Sequence, residues 1–282
     1  MTATRRLDWI SSTDPKNIPA LYPLQKRMTE FYAQSAHYYA DIDFTASAWR
    51  SDPTYLDIAR RITHAHSILE VGCGSANILR MYPDLGPKYH GCDFSTELLA
   101  RNGRNFPDAD FRPISDPAQF PFPDNSFDAI FSVFVLEHVV FPAKFLDECL
   151  RILHKGGHFI LRCPDFLGSG SMPSQRAGFS YGTGRSKLRS FKLFDAFVTG
   201  LDRKVTIPRR CAVLRRQIGA NWGFWINREP VCFCDPFSAD HDAVYLTYEA
   251  EIVHYLGDRI RFDPVDTGLS ATQPIYLTGT KL

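Results

Sequence analysis

The chain has 282 residues, 44% of them hydrophobic, and a formal net charge of +1. This length and composition allow a full core in one large domain or in a domain with a sizeable insert. No apolar run approaches the ~18 residues of a helical membrane span, and the start MTATRRLDWISSTDPKN lacks the apolar core of a secretory signal. We therefore expect a cytoplasmic protein with no membrane span.

Cysteine usage points to reduced thiols rather than disulfides. A chain of this size does not need covalent staples, and several cysteines fall within strand-like runs. No CxxC pair occurs, and Cys232 and Cys234 are only one residue apart. A structural zinc site is therefore not expected. The cysteines stand at positions 73, 92, 149, 163, 211, 232 and 234.

Strands and helices alternate in the middle third of the chain. The clearest helix starts near Pro142 and is expected to end at Gly156 and Gly157. Its apolar stripe consists of Phe145, Leu146, Cys149, Leu150 and Leu153. Short apolar runs predict strands at residues 67–71, 88–93, 109–114, 127–135 and 158–163. Such alternation predicts a parallel α/β sheet with both faces covered, which binds ligands beyond the carboxyl ends of its strands.

A glycine-containing bend follows the first of these strands in EVGCGSA, residues 70–76. The bend delivers free N–H groups to a helix start, which suits a nucleotide-like ligand, although such bends also serve tight packing. A dinucleotide fingerprint would need glycine where Asn77 stands, which weighs against a dehydrogenase. Asp93 ends the second strand, where it either accepts from ribose hydroxyls or opens the next helix. Asp116 follows the third strand and is placed to accept from the adenine amine.

Four motifs in this order and spacing resemble class I S-adenosylmethionine-dependent methyltransferases, particularly the ubiquinone/menaquinone-biosynthesis-like (type 11) branch. They are EVGCGSA, GCDFS, SDPAQFPFPDNSFDAIFSVFVLEHV and LRILHKGGHFILRCP, which together cover about residues 65–165. The resemblance implies a Rossmann-like doubly wound sheet that is mostly parallel with an antiparallel last strand. It also implies S-adenosyl-L-methionine as the cofactor.

The resemblance further implies roles for individual residues. Glu70, Gly72, Cys73 and Gly74 would surround the methionine part of the cofactor, and Asp93 would hold its ribose. The adenine would lie between Phe94 and the pair Asp116 and Pro117. Val133 and Phe134 would line the passage to the reacting methyl group, and Tyr32 and Tyr39 would cover the cofactor. Relatives that use a divalent metal carry a further carboxylate where Phe134 stands, so no metal is expected.

Methyl transfer from a sulfonium needs mainly placement of the acceptor and exclusion of water, because the cofactor is already activated. A base is required only where the attacking atom must lose a proton. His138, in LEHV after the fourth strand, is the candidate base, since imidazole titrates in the useful range. The alternative is that the pair formed by Glu137 and His138 caps the next helix or orients the cofactor loop.

The segment after the fifth strand is basic and unusually long for a connection. Residues 165–230 hold twelve Lys and Arg against four Asp and Glu, a balance of +8. This favours either a solvated surface or a lid that meets an anionic substrate, an acidic partner or a membrane surface. Residues 186–205 predict one amphipathic helix whose stripe is expected to pack in a core. That stripe comprises Leu188, Phe191, Leu193, Phe194, Phe197, Val198 and Leu201.

Four regions are therefore expected: N-terminal cap helices in 1–60, a cofactor-binding core in 61–164, an α-rich basic insert in 165–235, and a last helix with closing strands in 236–282. The last helix is expected in DAVYLTYEAEIVHYLG, which begins at residue 242. The predicted activity is methyl transfer to an oxygen, nitrogen or carbon atom of a small molecule, possibly anionic. The alternatives are an RNA methyltransferase, for which no recognised RNA-binding module is seen, and a non-catalytic cofactor-binding regulator. Nucleic acid is therefore the less favoured partner.

Overall fold

The computed structural model describes residues 7–34, 52–116, 119–172, 184–218, 222–230, 242–264 and 274–282. The strands in these residues are β1 (Trp9–Ser11), β2 (Ile68–Val71), β3 (Tyr89–Asp93), β4 (Asp110–Pro113), β5 (Phe127–Val133), β6 (Leu153–Cys163), β7 (Trp225–Asn227), β8 (Ile260–Phe262) and β9 (Ile275–Lys281). Tyr39, Pro117, Cys232 and Cys234 lie outside the described residues.

The α-helices of the described residues are α1 (Ile18–Gln34), α2 (Pro53–Ile62), α3 (Asn77–Met81), α4 (Thr96–Asn105), α5 (Pro142–Ile152), α6 (Phe166–Ser169), α7 (Gly184–Arg189), α8 (Leu193–Leu201), α9 (Ile207–Gln217) and α10 (Glu249–Leu256). Short 3-10 helices occupy Pro83–Lys88, Leu136–His138 and Gly257–Arg259, and a π-helical turn at Asp202–Thr206 joins α8 to α9. Among these described helices, none combines the length and the apolar character needed to cross a bilayer.

The chain divides into two compact units. The sheet unit consists of Gln25–Leu136, Phe141–Cys163 and Leu256–Leu282. The insert unit consists of Met1–Leu24, Glu137–Val140 and Pro164–Tyr255. The four-part division by sequence remains a prediction.

A seven-stranded sheet forms the centre of the sheet unit, in the order β4-β3-β2-β5-β6-β9-β8. The pairs from β4 to β6 are parallel, whereas β9 runs antiparallel to both β6 and β8. The predicted doubly wound sheet with an antiparallel last strand is therefore confirmed. Chain order reverses at β2, which places the carboxyl ends of β2, β3 and β5 at the switch point where such sheets bind ligands.

The core of the sheet unit explains why β2 reads as an unbroken apolar run. Every residue of β2 is buried, because helices cover both faces of a parallel sheet. The cluster on one face is built mainly by large side chains from α2, β2, α3 and β5: Tyr55, Ile58, Ile62, Ile68, Ile78, Leu79 and Phe131. Burial of this kind stabilises a fold by about 1.5–3 kcal/mol for each large side chain.

The end of α5 differs from the prediction. The helix ends at Ile152, and Leu153 is already extended and paired with Phe127 as the first residue of β6. Gly156 and Gly157 therefore lie inside a strand, where the pairing shifts register between Phe127 and Ala129. Glycines inside a strand often mark such an irregularity, so the glycine pair was wrongly taken for a helix end.

The insert unit has its own small core and a two-stranded sheet. β1 pairs antiparallel with β7, so the N-terminal segment and the insert share one sheet. Side chains from β1, α6, α9 and the stretch before α10 pack together, led by Trp9, Phe166, Ile207, Cys211, Leu214 and Leu246. Glu251, which is fully buried, accepts hydrogen bonds from the backbone N–H groups of Gly223 and Phe224 and from the Tyr245 hydroxyl, each at 2.9 Å.

Two predicted helices of this region are wrong in part. Residues 186–205 form two helices rather than one, because the chain turns between Arg189 and Leu193 with Phe191 at a φ of 56°. The last helix begins at Glu249 rather than near residue 242. Tyr245 instead forms an isolated antiparallel bridge with Ile226.

Candidate functional site

The bend after β2 is fastened to the end of β3 by two backbone hydrogen bonds. The N–H groups of Gly72 and Cys73 donate to the Cys92 carbonyl at 2.8 and 3.0 Å. Gly72 has a φ of 73°, and a Cβ placed there would lie 2.3 Å from Cγ2 of Val135. Glycine is therefore required at position 72 by both backbone conformation and packing.

Gly74 differs from Gly72, because its outer side is open. Its φ is 47°, and a Cβ placed there would meet no atom within 4 Å. Its N–H donates to Oδ2 of Asp93 at 2.9 Å, and its carbonyl accepts from the Asn102 side chain at 2.8 Å. The backbone of Gly74 is thus held firmly while space remains beside it, the kind of surface on which a ligand approaches closely.

The Asp93 carboxylate is oriented at the carboxyl end of β3. Oδ2 accepts from Gly74 N–H, Oδ1 accepts from Ser95 N–H at 3.0 Å, and the residue is buried. The cap of α4 is Ser95, whose hydroxyl accepts from Leu98 N–H at 3.3 Å. Asp93 therefore does not cap that helix. These two backbone bonds hold the carboxylate in one orientation at the end of the strand.

Glu70 brings a second carboxyl group to the same end of the sheet. It lies in β2 two residues before Gly72 and is buried, and the Tyr89 hydroxyl donates to its Oε2 atom. Burial raises the pKa of Glu70 to about 8, with the negative charge of Asp93 adding to the rise and the Tyr89 hydrogen bond opposing it. A nearby cation would favour the ionised form of this carboxyl group.

The residues expected around adenine occupy the ends of β3 and β4. Phe94, which directly follows β3, is half-buried. Ile114 N–H donates to the Asp93 carbonyl at 2.9 Å, which ties the end of β4 to that of β3. Asp116 is exposed and forms a bridge with Gln119. Two neighbouring strand ends thus present Phe94 and Asp116, as their sequence positions predict.

Phe134 follows β5 in a left-handed conformation with a φ of 57°. Its N–H donates to the Arg162 carbonyl at 2.8 Å, and the guanidinium carbon of Arg162 lies 5.0 Å from the Phe134 ring centre and 5.3 Å from that of Tyr55. Arg162 also pairs with Asp52 at 2.8 Å. Partial burial acts to raise the pKa of Asp52, but a backbone hydrogen bond from Thr54 and the arginine lower it overall.

Arg162 was not among the site residues predicted from the sequence. Its signal was a cation inside the apolar run HFILRC of β6. Half-buried Val133 ends β5 directly before Phe134. The end of β5 therefore presents both apolar surface and a buried, paired cation.

His138 belongs to the insert unit, where two buried carboxylates flank it. Its Nδ1 atom lies 3.3 Å from Oδ2 of Asp242, and its Nε2 atom lies 3.8 Å from Oε1 of Glu137. Both acidic residues are fully buried. The Glu137 carbonyl accepts from Val244 and Tyr245 N–H at 2.7 and 2.9 Å, which holds the two stretches of chain together. Within the described residues, no group of three or more acidic, His or Cys side chains is arranged to hold a metal ion.

Tyr32 lies in α1 and is buried, with its ring centre 5.1 Å from that of Phe31.

Among the predicted site residues, the structure brings together Gly72, Cys73, Gly74 and Asp93 through hydrogen bonds between the bend and β3, with Glu70 in the adjoining strand β2. Asp242 was missed, because it stands at the start of a segment that was predicted to be helix.

Comparison with known protein families and relatives finds similarity to methyltransferases. Residues 69–161 match the family profile described as "Methyltransferase domain". A demethylmenaquinone methyltransferase of Paenarthrobacter aurescens is 38% identical over 94 residues, which cover 33% of this chain and 37% of the relative. A probable S-adenosylmethionine-dependent methyltransferase of Mycolicibacterium smegmatis is 30% identical over 116 residues, or 41% of this chain and 44% of the relative. The chain thus spans less than half the length of these two relatives.

Solved structures support the same fold. The 1,6-didemethyltoxoflavin-N1-methyltransferase of Burkholderia thailandensis superposes with a TM-score of 0.51 at 13% identity, covering 95% of this chain and 91% of that one. An S-adenosylmethionine-dependent methyltransferase of Mesorhizobium loti also gives 0.51, at 15% identity, covering 83% of this chain and 100% of that one. At such identities the likeness concerns the fold alone.

Proposed function

We propose that the chain transfers a methyl group from S-adenosyl-L-methionine to an oxygen, nitrogen or carbon atom of a small molecule, because residues 69–161 match a methyltransferase-domain family and part of the chain is similar to a demethylmenaquinone methyltransferase. The observation that carries this proposal is the pairing of Gly74 with Asp93. It supports a ligand that has both a diol to bind the carboxylate and a group that lies against bare backbone.

The residues present fit the proposed cofactor. The open side of Gly74 admits a bulky group, and Asp93 is oriented by two N–H donors. When bound, S-adenosyl-L-methionine supplies a methyl group already activated by positive charge on sulfur. The Glu70 carboxyl group, whose pKa of about 8 keeps it close to ionisation at neutral pH, can balance a cationic ligand by losing its proton.

Within this proposal each strand end has a separate task. The bend from Glu70 through Gly72 and Cys73 to Gly74 holds the methionine part, and Asp93 holds the ribose. Phe94 and Asp116 border the adenine, while Val133 and Phe134 line the path to the methyl group, and Tyr32 covers the cofactor. These side chains bind and orient, which is most of what this reaction needs from a protein.

We assign the role of base to His138 for acceptors that must lose a proton. Asp242 contacts the Nδ1 side of the ring, and a carboxylate in that position fixes the orientation of an imidazole. Asp242 is thus a positioning residue that acts through His138. The basic balance of residues 165–230 supports an acceptor with anionic character.

Cytoplasmic location belongs to the same proposal. The cysteines found free in the described residues are all buried: Cys73, Cys92, Cys149, Cys163 and Cys211. Burial raises the pKa of the Cys73 and Cys92 thiols well above the ordinary value, which makes them unreactive. Such thiols suit a reducing compartment.

The proposed activity is tested with cofactor carrying an isotopically labelled methyl group, incubated with the full chain and a metabolite extract. Mass spectrometry is expected to find one labelled small molecule, formed together with S-adenosylhomocysteine. Asp93→Ala should abolish the product and weaken cofactor binding in calorimetry, whereas Asp108→Ala, at an exposed position of the same unit, should change neither. Label found only in added RNA, or cofactor bound with no transfer, would contradict the proposal.

A further inference from the structure

Five large apolar side chains project from the helix pair α7–α8 of the insert unit. They form what we call the apolar patch: Leu188 (52% exposed), Phe191 (89%), Leu193 (63%), Phe194 (65%) and Phe197 (66%). An exposed phenylalanine presents about 200 Å², so the three phenylalanines alone expose roughly 400 Å². Exposed apolar areas of this size mark interaction sites in many proteins.

The patch contradicts the expectation that this stripe packs in a core. Of the seven residues predicted to do so, only Val198 is fully buried, and Leu201 is half-buried. The inner face of α8 is formed instead by Ala196, Val198 and Thr199. The apolar patch, which was predicted to be buried, is therefore exposed to solvent.

A buried polar contact fixes which face of α8 points outward. Lys187 of α7 is buried, and its Nζ donates to Oγ1 of Thr199 at 2.7 Å. The Thr199 hydroxyl in turn donates to the Asp195 carbonyl at 2.8 Å. With the Thr199 side of α8 turned toward α7, residues 193, 194 and 197 lie on the other side, because positions i, i+1 and i+4 share a helix face.

Phe191 adds an independent observation. It connects α7 to α8 with a φ of 56°, a conformation that glycine or asparagine adopts far more easily than a bulky residue does. Phenylalanine at this position thus combines backbone strain with 89% exposure of a large apolar side chain. Backbone strain and exposure of an apolar side chain both cost free energy in water. A residue that combines them is expected to contact a binding partner.

Cations surround the patch. Exposed arginines and lysines stand between and after the apolar residues: Arg185, Arg189, Lys192, Arg203 and Lys204. The carboxylates within residues 184–218 are Asp195, which is half-buried, and Asp202, which is buried. The face thus combines exposed apolar side chains with an excess of positive charge, as interfacial helices do at anionic membranes.

We propose that the α7–α8 pair docks on the surface of an anionic lipid bilayer. The apolar patch enters the boundary between headgroups and acyl chains, and the surrounding cations lie against the headgroups. A bilayer accepts the leucines and the phenylalanines alike, whereas stacking on nucleic-acid bases gives Leu188 and Leu193 no role. This docking goes beyond methyl transfer and does not depend on it.

Co-sedimentation of the full chain with vesicles tests the proposal. We expect binding to vesicles of phosphatidylglycerol and phosphatidylcholine, about tenfold or more weaker binding to phosphatidylcholine alone, and loss of binding in high salt. Phe194→Ser combined with Phe197→Ser should weaken binding about tenfold or more, because both side chains would lose apolar burial. Leu56→Ser, at a position 49% exposed in the sheet unit, is the matched control and should bind as the unaltered chain does.

A variant of Phe191 separates docking from misfolding. Phe191→Gly removes backbone strain, so it should raise the melting temperature while weakening vesicle binding several-fold. Two outcomes of the vesicle experiment would overturn the proposal: no binding to the anionic vesicles, or unchanged binding by the Phe194 and Phe197 double variant. A third is a dimer of the unaltered chain in sedimentation equilibrium that becomes a monomer in the double variant. Competition by RNA for the patch, in the absence of vesicle binding, would also overturn it.

Discussion

His138 and Asp242 are separated by more than one hundred residues of sequence, yet Nδ1 of the histidine lies 3.3 Å from Oδ2 of the aspartate. Asp242 is fully buried, whereas the His138 side chain is 12% exposed. The arrangement is held by the Glu137 carbonyl, which accepts hydrogen bonds from Val244 and Tyr245. This geometry fixes the imidazole ring from one side.

If Asp242 positions His138 for proton removal, Asp242→Asn should lower kcat about tenfold, and His138→Ala should lower it about a hundredfold. Cofactor affinity should change little in either variant. The contact predicts non-additivity, so adding Asp242→Asn to His138→Ala should cause almost no further loss of kcat. Steady-state kinetics, with cofactor affinity from calorimetry, measure these values. An additive loss, or a His138→Ala variant with normal turnover, would contradict the assignment.

Stability should depend on pH through Glu70. Its pKa is about 8 in the folded chain and about 4.5 when exposed, so the folded chain holds the proton more tightly. The contribution of Glu70 to the free energy of unfolding should therefore be greatest below about pH 4.5 and fall as pH rises toward 8, by up to about 1.4 kcal/mol per pH unit. Glu70→Gln keeps an acceptor for Tyr89 but cannot ionise, so this fall should be absent.

Urea unfolding of both chains between pH 5 and pH 8 measures the effect as a difference, since other titrating groups contribute equally to both. Glu97→Gln, at an exposed position of α4, should leave the pH dependence unchanged. Parallel curves for Glu70→Gln and the unaltered chain would show that the Glu70 pKa is not raised.

The two glycines of the bend should fail in different ways when replaced. Gly72→Ala meets both a φ of 73° and a contact of 2.3 Å with Val135, so we expect a loss of about 2–4 kcal/mol of stability. Gly74→Ala has only the conformational cost of a φ of 47°, about 1 kcal/mol. Its new methyl group would instead occupy the space proposed for the cofactor.

Thermal melting and calorimetry together distinguish the two glycine effects. Gly74→Ala should fold well but bind S-adenosyl-L-methionine at least about tenfold more weakly. Normal cofactor affinity in that variant would mean that the open side of Gly74 is not where the cofactor lies.

The sheet was predictable from sequence because parallel strands buried on both faces leave continuous apolar runs, as in β2 and β5. The positions of the bend and of Asp93 were predictable because each marks the end of a short apolar run that forms a strand; their role in ligand binding stays a prediction. The start of β6 was not predictable from the sequence. Leu153 continues the helical spacing of Cys149 and Leu150, and only its pairing with Phe127 shows that it belongs to a strand.

The contact of His138 with Asp242 and the exposure of the apolar patch also could not be predicted from the sequence. Asp242 reaches His138 through a long-range contact that no local pattern encodes. The stripe of residues 188–197 has the helical periodicity of a core face, and periodicity does not report whether the apolar face is covered. That information lies in tertiary packing, here in the contact between Lys187 and Thr199.

Glu251 should be a main determinant of stability in the insert unit. Its Oε1 atom accepts from the N–H groups of Gly223 and Phe224, and its Oε2 atom accepts from the Tyr245 hydroxyl, all in the interior. Glu251→Ala would leave three buried donors without this acceptor, at about 1–3 kcal/mol each, so we expect a loss of about 3 kcal/mol or more. Glu251→Gln retains one oxygen and should lose about 1 kcal/mol, while Glu249→Ala, exposed on the same helix, should have almost no effect in urea unfolding. A glutamine variant as stable as the unaltered chain, beside a large loss for the alanine variant, would show that side-chain volume, rather than hydrogen bonding to the carboxylate, gives this residue its importance.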